Sequence, residues 1–321
     1  MIHFKIEYKI RYFEVMKTVL SVCMFFFIYQ VQAQSMDWWD NLHNYPAAAG
    51  PDRFDYISIS PGFMGPNALR MPVLGNAIIE DHISFDIRWE RHQGIGDKTN
   101  NAFLQFSFPI KKDRALFYLN SIPFEQWDVN LATRDERRMM GISGEGRTTG
   151  DIAFGLVYKI FDENLRGPFN FTMRAHSKTT TGGNLGNARH TDANMFYWEG
   201  TFSKSLFKTE KSFVLTKLML GFYTYQTNVN RLINGATERQ NDAPLYGFGI
   251  EYHREKWQID ADLTGYHGYQ GHRDSPLFLR LNINRQFKGG EVSAAYHVGM
   301  KKWDWNTFSL NYRIYVSEVK D

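Results

Sequence analysis

Cysteine is all but missing from this 321-residue chain, with Cys23 the only one. No internal disulfide can form, so an exported form of the chain must be held by hydrogen bonds and packing. Long apolar runs are missing too. Beyond the first thirty or so residues, nothing approaches the roughly 20 apolar residues that a membrane helix needs. Charge of one sign is also lacking, since 37 Lys and Arg face 34 Asp and Glu and no strongly basic stripe occurs. That excludes the electrostatic footprint of a nucleic-acid binder. Aromatic residues, by contrast, reach 16% although mean hydropathy is −0.43. A chain can look soluble on average and still be apolar on every second residue.

The one apolar run lies near the N-terminus. Met16-Lys17 precede Thr18 to Val31, with Phe25-Phe26-Phe27-Ile28 inside, followed by Gln32-Ala33-Gln34-Ser35. A charged start, a short apolar stretch and a small residue read as a secretory signal over 1–34, starting at Met16 and cleaved after Gln34. Cys23 sits within the apolar stretch, before Phe25 to Tyr29, which is the wrong place for a lipidated cysteine.

From about residue 82 the pattern changes to strict alternation. In His82-Ile83-Ser84-Phe85-Asp86-Ile87-Arg88-Trp89-Glu90 one face of a strand carries Ile83, Phe85, Ile87 and Trp89. The other face carries the polar residues. The spacing predicts twelve such strands, near 82–91, 102–110, 115–127, 151–160, 169–179, 195–206, 213–226, 244–253, 257–268, 276–286, 291–300 and 307–316. Short links (111–114, 208–211, 254–256, 288–290) are interspersed with longer ones (94–100, 131–150, 180–194, 229–243). Short turns at one end and long loops at the other are the signature of a transmembrane antiparallel up-and-down β-barrel. Its apolar face would meet lipid, and Trp89, Trp127, Trp198, Trp303, Trp305, Trp257, Phe207 and Phe287 would form interfacial girdles. Soluble strands are usually shorter, which weighs against a secreted β-sandwich.

Between leader and barrel, residues 35–79 break the alternation. Prolines at 46, 51, 61, 66 and 72 deny a central strand its amide donors. The aromatic and aliphatic content is nonetheless too high for a free tail. The expectation is a plug at the periplasmic mouth, or a periplasmic leader, with Pro61, Gly62, Phe63, Gly65, Pro66 and Asn67 at its centre. The stretch from Pro61 to Leu69, with Lys178-Thr179-Thr180-Thr181-Gly182 and Ala188-Arg189-His190-Thr191-Asp192-Ala193, resembles uncharacterised outer-membrane β-barrel proteins of Bacteroidota. That resemblance implies a fold and a location, the outer membrane of a Gram-negative bacterium. It implies no catalytic residue.

With the apolar register outward, the lumen collects His82, Asp86, Arg88, Glu90, Arg174, His176, Glu199, Glu251, Asp260, Asp262, Arg280 and Arg313. Lys159, Lys178, His253 and His297 join them. The two signs are balanced, and twelve strands fall between filled small barrels and open porins. The first reading is a monomeric, porin-like channel for small polar or anionic solutes, surrounded by outer-membrane lipid. The second is a closed structural or partner-binding barrel in which opposed charges pair. The third, an outer-membrane lipid hydrolase, meets an obstacle: adjacent His176 and Ser177 point to opposite faces. His267, His272 and Asp274 match no specific metal-site spacing, so neither metal nor cofactor is expected. Arg134-Asp135-Glu136-Arg137-Arg138 reads as a solvated charge run.

Overall fold

The computed structural model describes residues 35–46, 52–165, 167–228, 240–268 and 275–318. The expected signal (1–34), the loop residues 229–239 and most of the stretch from His267 to Asp274 lie outside the described residues. Residues up to Asn44 form one compact unit and those from Tyr45 onward a second. The first holds a short helix α1 (Asp37–His43), ended by Asn44 in the left-handed region. Trp39 lies 4.7 Å from the His43 ring. The boundary between the units falls inside 35–79.

In the second unit, alternation dictates the architecture. On β1 (His82–Gly94), Ser84, Asp86, Glu90 and His92 are buried while Ile87 and Trp89 are exposed. The same alternation recurs on β2 (Asp97–Lys111), β3 (Ala115–Val129), β5 (Ile152–Phe161), β6 (Asn170–Lys178) and β7 (Met195–Leu206). It continues through β8 (Ser212–Gln226), β9 (Gln240–Arg254), β10 (Trp257–Tyr266), β11 (Leu277–Phe287), β12 (Gly290–Lys301) and β13 (Asn306–Glu318). Each strand pairs antiparallel with its neighbours, and β1 pairs with β13 from His82↔Glu318 to Gln93↔Asn306. The sheet therefore closes into a twelve-stranded barrel, with β4 (Glu145–Thr148) added on β3. Closure leaves no free edge among the twelve strands, which is what lets strands cross a bilayer. Strands of 9 to 15 residues are long enough to do so.

Three expectations are corrected. The link 94–100 is not long: Gly94 pairs with Asp97, and only Ile95 and Gly96 turn the chain. Gly96 has φ 68°, a conformation that glycine adopts without steric cost. The strand β4 escaped the pattern because four residues, two of them charged, carry no apolar face. Finally, Trp127, Trp303 and Trp305 are buried, not interfacial. Trp89, Trp198, Trp257, Phe207 and Phe287 are exposed, as a girdle requires.

Residues 52–81 run through the barrel. At the long-loop end Asn228 donates to the carbonyls of Asp55 and Ile57, and Gly65 donates to the Ala188 carbonyl at 2.8 Å. At the short-turn end Glu80 pairs with Arg313 of β13. The segment thus spans the lumen from one mouth to the other; it is not confined to the mouth on the short-turn side. With so many prolines it supplies few ladder donors, so its polar groups find partners on the inner wall instead.

Candidate functional site: the barrel lumen

The lumen divides into two halves. Toward the long loops it is filled. Leu69, Met71 and Leu74 of the inner segment pack with Met195, Tyr197, Met219, Tyr223, Tyr225, Ala243, Leu245, Tyr266, Phe278, Trp303 and Trp305. Most are inward strand residues toward the long-loop end, and Trp303 and Trp305 come from the link between β12 and β13, so this half of the barrel has an apolar core in the place of a pore. Beside this core lies a buried ionic cluster. Asn67 donates to Asn101 at 2.9 Å and to Glu125 at 2.8 Å. Arg189 reaches Asp97 at 3.0 Å and Thr99 at 2.9 Å, and lies 4.7 Å over the Trp127 ring. Arg137 also pairs with Asp97. His190 lies 3.2 Å from Glu125 and 3.7 Å from Asp151, which also pairs with Lys178 at 2.6 Å and accepts from the Gly182 amide at 2.6 Å.

Two loops close this half. In 130–151 the helix α2 (Leu131–Glu136) is capped by Asn130, which accepts from the Thr133 amide. Arg134 and Arg137 are buried, which overturns the reading of 134–138 as a solvated charge run. In 179–194, Arg189, His190 and Thr191 are all but inaccessible. Burial opposes the charged form of His190, but Glu125 and Asp151 together raise its pKa above the ordinary value.

Toward the short turns the lumen opens into a polar cavity of about 440 Å³. Arg70 of the inner segment grips Glu90 with two bonds of 2.7 and 2.8 Å. Arg88 reaches the same carboxylate at 2.9 Å, and both guanidinium groups lie over Phe103, at 4.8 and 4.0 Å. Arg174 donates to the Val73 carbonyl at 2.7 Å and pairs with Glu199 at 2.7 Å. Ser203 holds the Asn76 carbonyl, while Asn76 donates to Glu251. Lys217 lies 2.7 Å from Asp262 and 3.2 Å from Glu251, with Asp260 nearby at 3.9 Å. Arg280 pairs with Asp262 at 2.9 Å, and Arg313 with Asp86 at 2.9 Å and with Glu291 at 3.5 Å.

Of the twelve residues expected from sequence to line the lumen, Asp86, Arg88, Glu90, Arg174, Glu251, Asp260, Arg280 and Arg313 border this cavity, and these engage one another or the inner segment. His82 and His176 serve packing: His82 stacks on Tyr315, and His176 stacks on Tyr197 and bonds Tyr118 at 2.9 Å. Ser177 pairs with Phe154 and Phe196 in the outward register, with no bulge at that point, so His176 and Ser177 form no dyad. Of the inner-segment residues, Asn67 contacts the wall through its side chain and Gly65 through its amide, while Pro61, Gly62, Phe63 and Pro66 shape the bend around them. Gly65 is required for the close approach, since a Cβ there would run into the Arg189 side chain. The sequence reading missed Asp97, Glu125, Asp151, Arg189 and His190. Asp151, Arg189 and His190 lie in links, where no alternation marks a buried side chain.

No known protein family matches the chain, and no curated protein does. Solved structures do. An outer-membrane channel from Pseudomonas putida F1 is 12% identical, with a TM-score of 0.54 over 76% of this chain and 100% of that one. A KdgM porin, solved with disordered oligogalacturonate, is 10% identical, with a TM-score of 0.43 over 73% and 100% of the two chains. The transport unit of the autotransporter AIDA-I from Escherichia coli is 12% identical, with a TM-score of 0.46 over 78% and 94%. The closed barrel, inward charges and outward apolar belt have the fold of outer-membrane β-barrels.

Proposed function

We propose that this protein resides in the outer membrane of a Gram-negative bacterium as a barrel held closed by its own segment 52–81. The observation that carries this reading is the path of that segment through the lumen, anchored by Arg70 on Glu90 and by Leu69, Met71 and Leu74 in the apolar core. The wall charges are committed to one another and to the segment, so they offer no free lining to a passing ion. Of the two leading readings of the sequence, the closed barrel is thus favoured. Passage of small polar or anionic solutes belongs to a state in which the segment has left the lumen.

Recordings in planar bilayers test this. The intact protein is expected to give no steady conductance, and a variant lacking residues 36–79 a persistent one. Liposome swelling by the intact protein that falls off with solute size would overturn the reading, as would equal conductance with and without the segment.

A further inference from the structure

The lipid-facing wall is not uniform. Over β10–β12 it carries a trough made where two small outward residues, Ala261 and Ala294, stand among large ones. One part, of about 660 Å³, lies between Ile250, Leu281 and Phe308. A second, of about 540 Å³, runs on toward the short turns past Val292 and Phe287. The two share Ile283 and Ala294, so they form one continuous apolar furrow.

Its short-turn end is different in kind. There Lys256 and Arg285 line the furrow, and Arg285 lies 5.0 Å over the Trp257 ring. Inside the barrel the arginines of the lumen find carboxylates, whereas Lys256 and Arg285 have none within ion-pair distance among the described residues. A guanidinium lying over an indole keeps its N–H edge free to bind a phosphate in two places. An apolar furrow that ends in two uncompensated cations matches an acyl chain joined to a phosphate.

We infer that this furrow binds a glycerophospholipid of the leaflet on the short-turn side, its acyl chain along Ala261 and Ala294 and its phosphate at Lys256 and Arg285. The inference rests on the reading of the barrel as a membrane protein. A second copy of the chain fits less well, because a two-fold contact across this face would set Lys256 and Arg285 against their own equivalents.

Native mass spectrometry of the detergent-extracted protein, titrated with phosphatidylglycerol, tests the site. One lipid per chain is expected to survive conditions that strip the rest. Ala294→Phe fills the furrow from outside the barrel and is expected to weaken retention by about tenfold, the loss of roughly two buried methylenes. Lys256→Gln with Arg285→Gln should weaken it severalfold and remove its dependence on salt. Equal retention by the intact protein and Ala294→Phe would overturn the inference. So would a dimer mass that Ala294→Phe abolishes, since the occupant would then be a second copy. Heat-modifiable electrophoretic mobility, unchanged in all variants, checks that the barrel is intact. Failure of the intact protein to insert into vesicles would instead strike the membrane reading itself.

Discussion

The two halves of the lumen solve the same problem differently. Both must neutralise inward charge and both meet the inner segment. In the long-loop half, Arg189, Asp97 and Glu125 are sealed beneath two loops beside an apolar core. In the short-turn half, Arg70, Arg88 and Glu90 border an open cavity. Buried ions depend wholly on their partners, whereas ions beside a cavity can fall back on water. The first half is therefore expected to be rigid and unforgiving, the second adaptable.

The largest effect expected from a single change is at Arg189. Its side chain is inaccessible, and it faces Asp97 and Glu125 at once. Arg189→Ala leaves those carboxylates undercompensated in a sealed site, at a cost of about 3–5 kcal/mol. Urea unfolding of the barrel in lipid vesicles measures this. A loss below about 1 kcal/mol would mean that the long-loop half is wetter than its packing implies.

Arg70→Ala is expected to cost less although it removes two charge-assisted bonds, about 1.5–3 kcal/mol. Glu90 is buried, but it keeps Arg88 at 2.9 Å, and the adjoining cavity gives solvent a path to it once the Arg70 side chain is gone. The same variant should increase channel openings, because it releases the middle of the inner segment. Destabilisation as large as that of Arg189→Ala would erase the distinction between the halves.

The barrel itself was legible because alternation is a local signal. Each residue from Ile83 to Trp89 declares its face by position alone, and twelve strands fall near where the pattern put them, most of them longer and two, β6 and β10, shorter. The inward charges followed from the same rule. The filling of the lumen did not, because it depends on contacts such as Arg189 with Asp97, 92 residues apart, between a loop and a strand end. Trp303 and Trp305 illustrate the limit. A tryptophan near a strand end reads as an interfacial anchor, but these two turn inward and join the core beside Phe278 and His92. Nothing in a single sequence distinguishes the two directions once strict alternation stops in a link.

A matched pair of substitutions probes packing without touching charge. Ala243 is fully buried in the apolar core, whereas Ala295 lines the cavity. Ala243→Leu forces extra volume into a packed site and is expected to cost about 1–3 kcal/mol. Ala295→Leu has the cavity to grow into and should stay within about 0.5 kcal/mol of the parent. Equal costs would mean that the cavity is closed in solution.

The subtlest effect is on titration of the long-loop half. His190 faces Glu125 of β3, Asp151 of the preceding link and, beyond these, Lys178 of β6 and Arg189 of its own loop. Burial opposes the imidazolium, but the carboxylates outweigh it and raise the native pKa above the ordinary 6.5. The unfolded chain binds this proton less tightly, so the stabilisation is fully present below about pH 6.5 and fades as pH rises through the raised native value. It should be modest, because Glu125 keeps Asn67 and Asp151 keeps Lys178 after the proton has gone. Proteolysis within the 179–194 loop should accordingly speed up with rising pH in the parent, once the protease's own pH dependence is divided out. His190→Gln, which cannot titrate, should flatten that rise. A parent loop equally resistant on both sides of the transition would show that the loop is held by its other anchors, such as Arg189 on Asp97 and Gly65 on the Ala188 carbonyl, and not by the His190 charge.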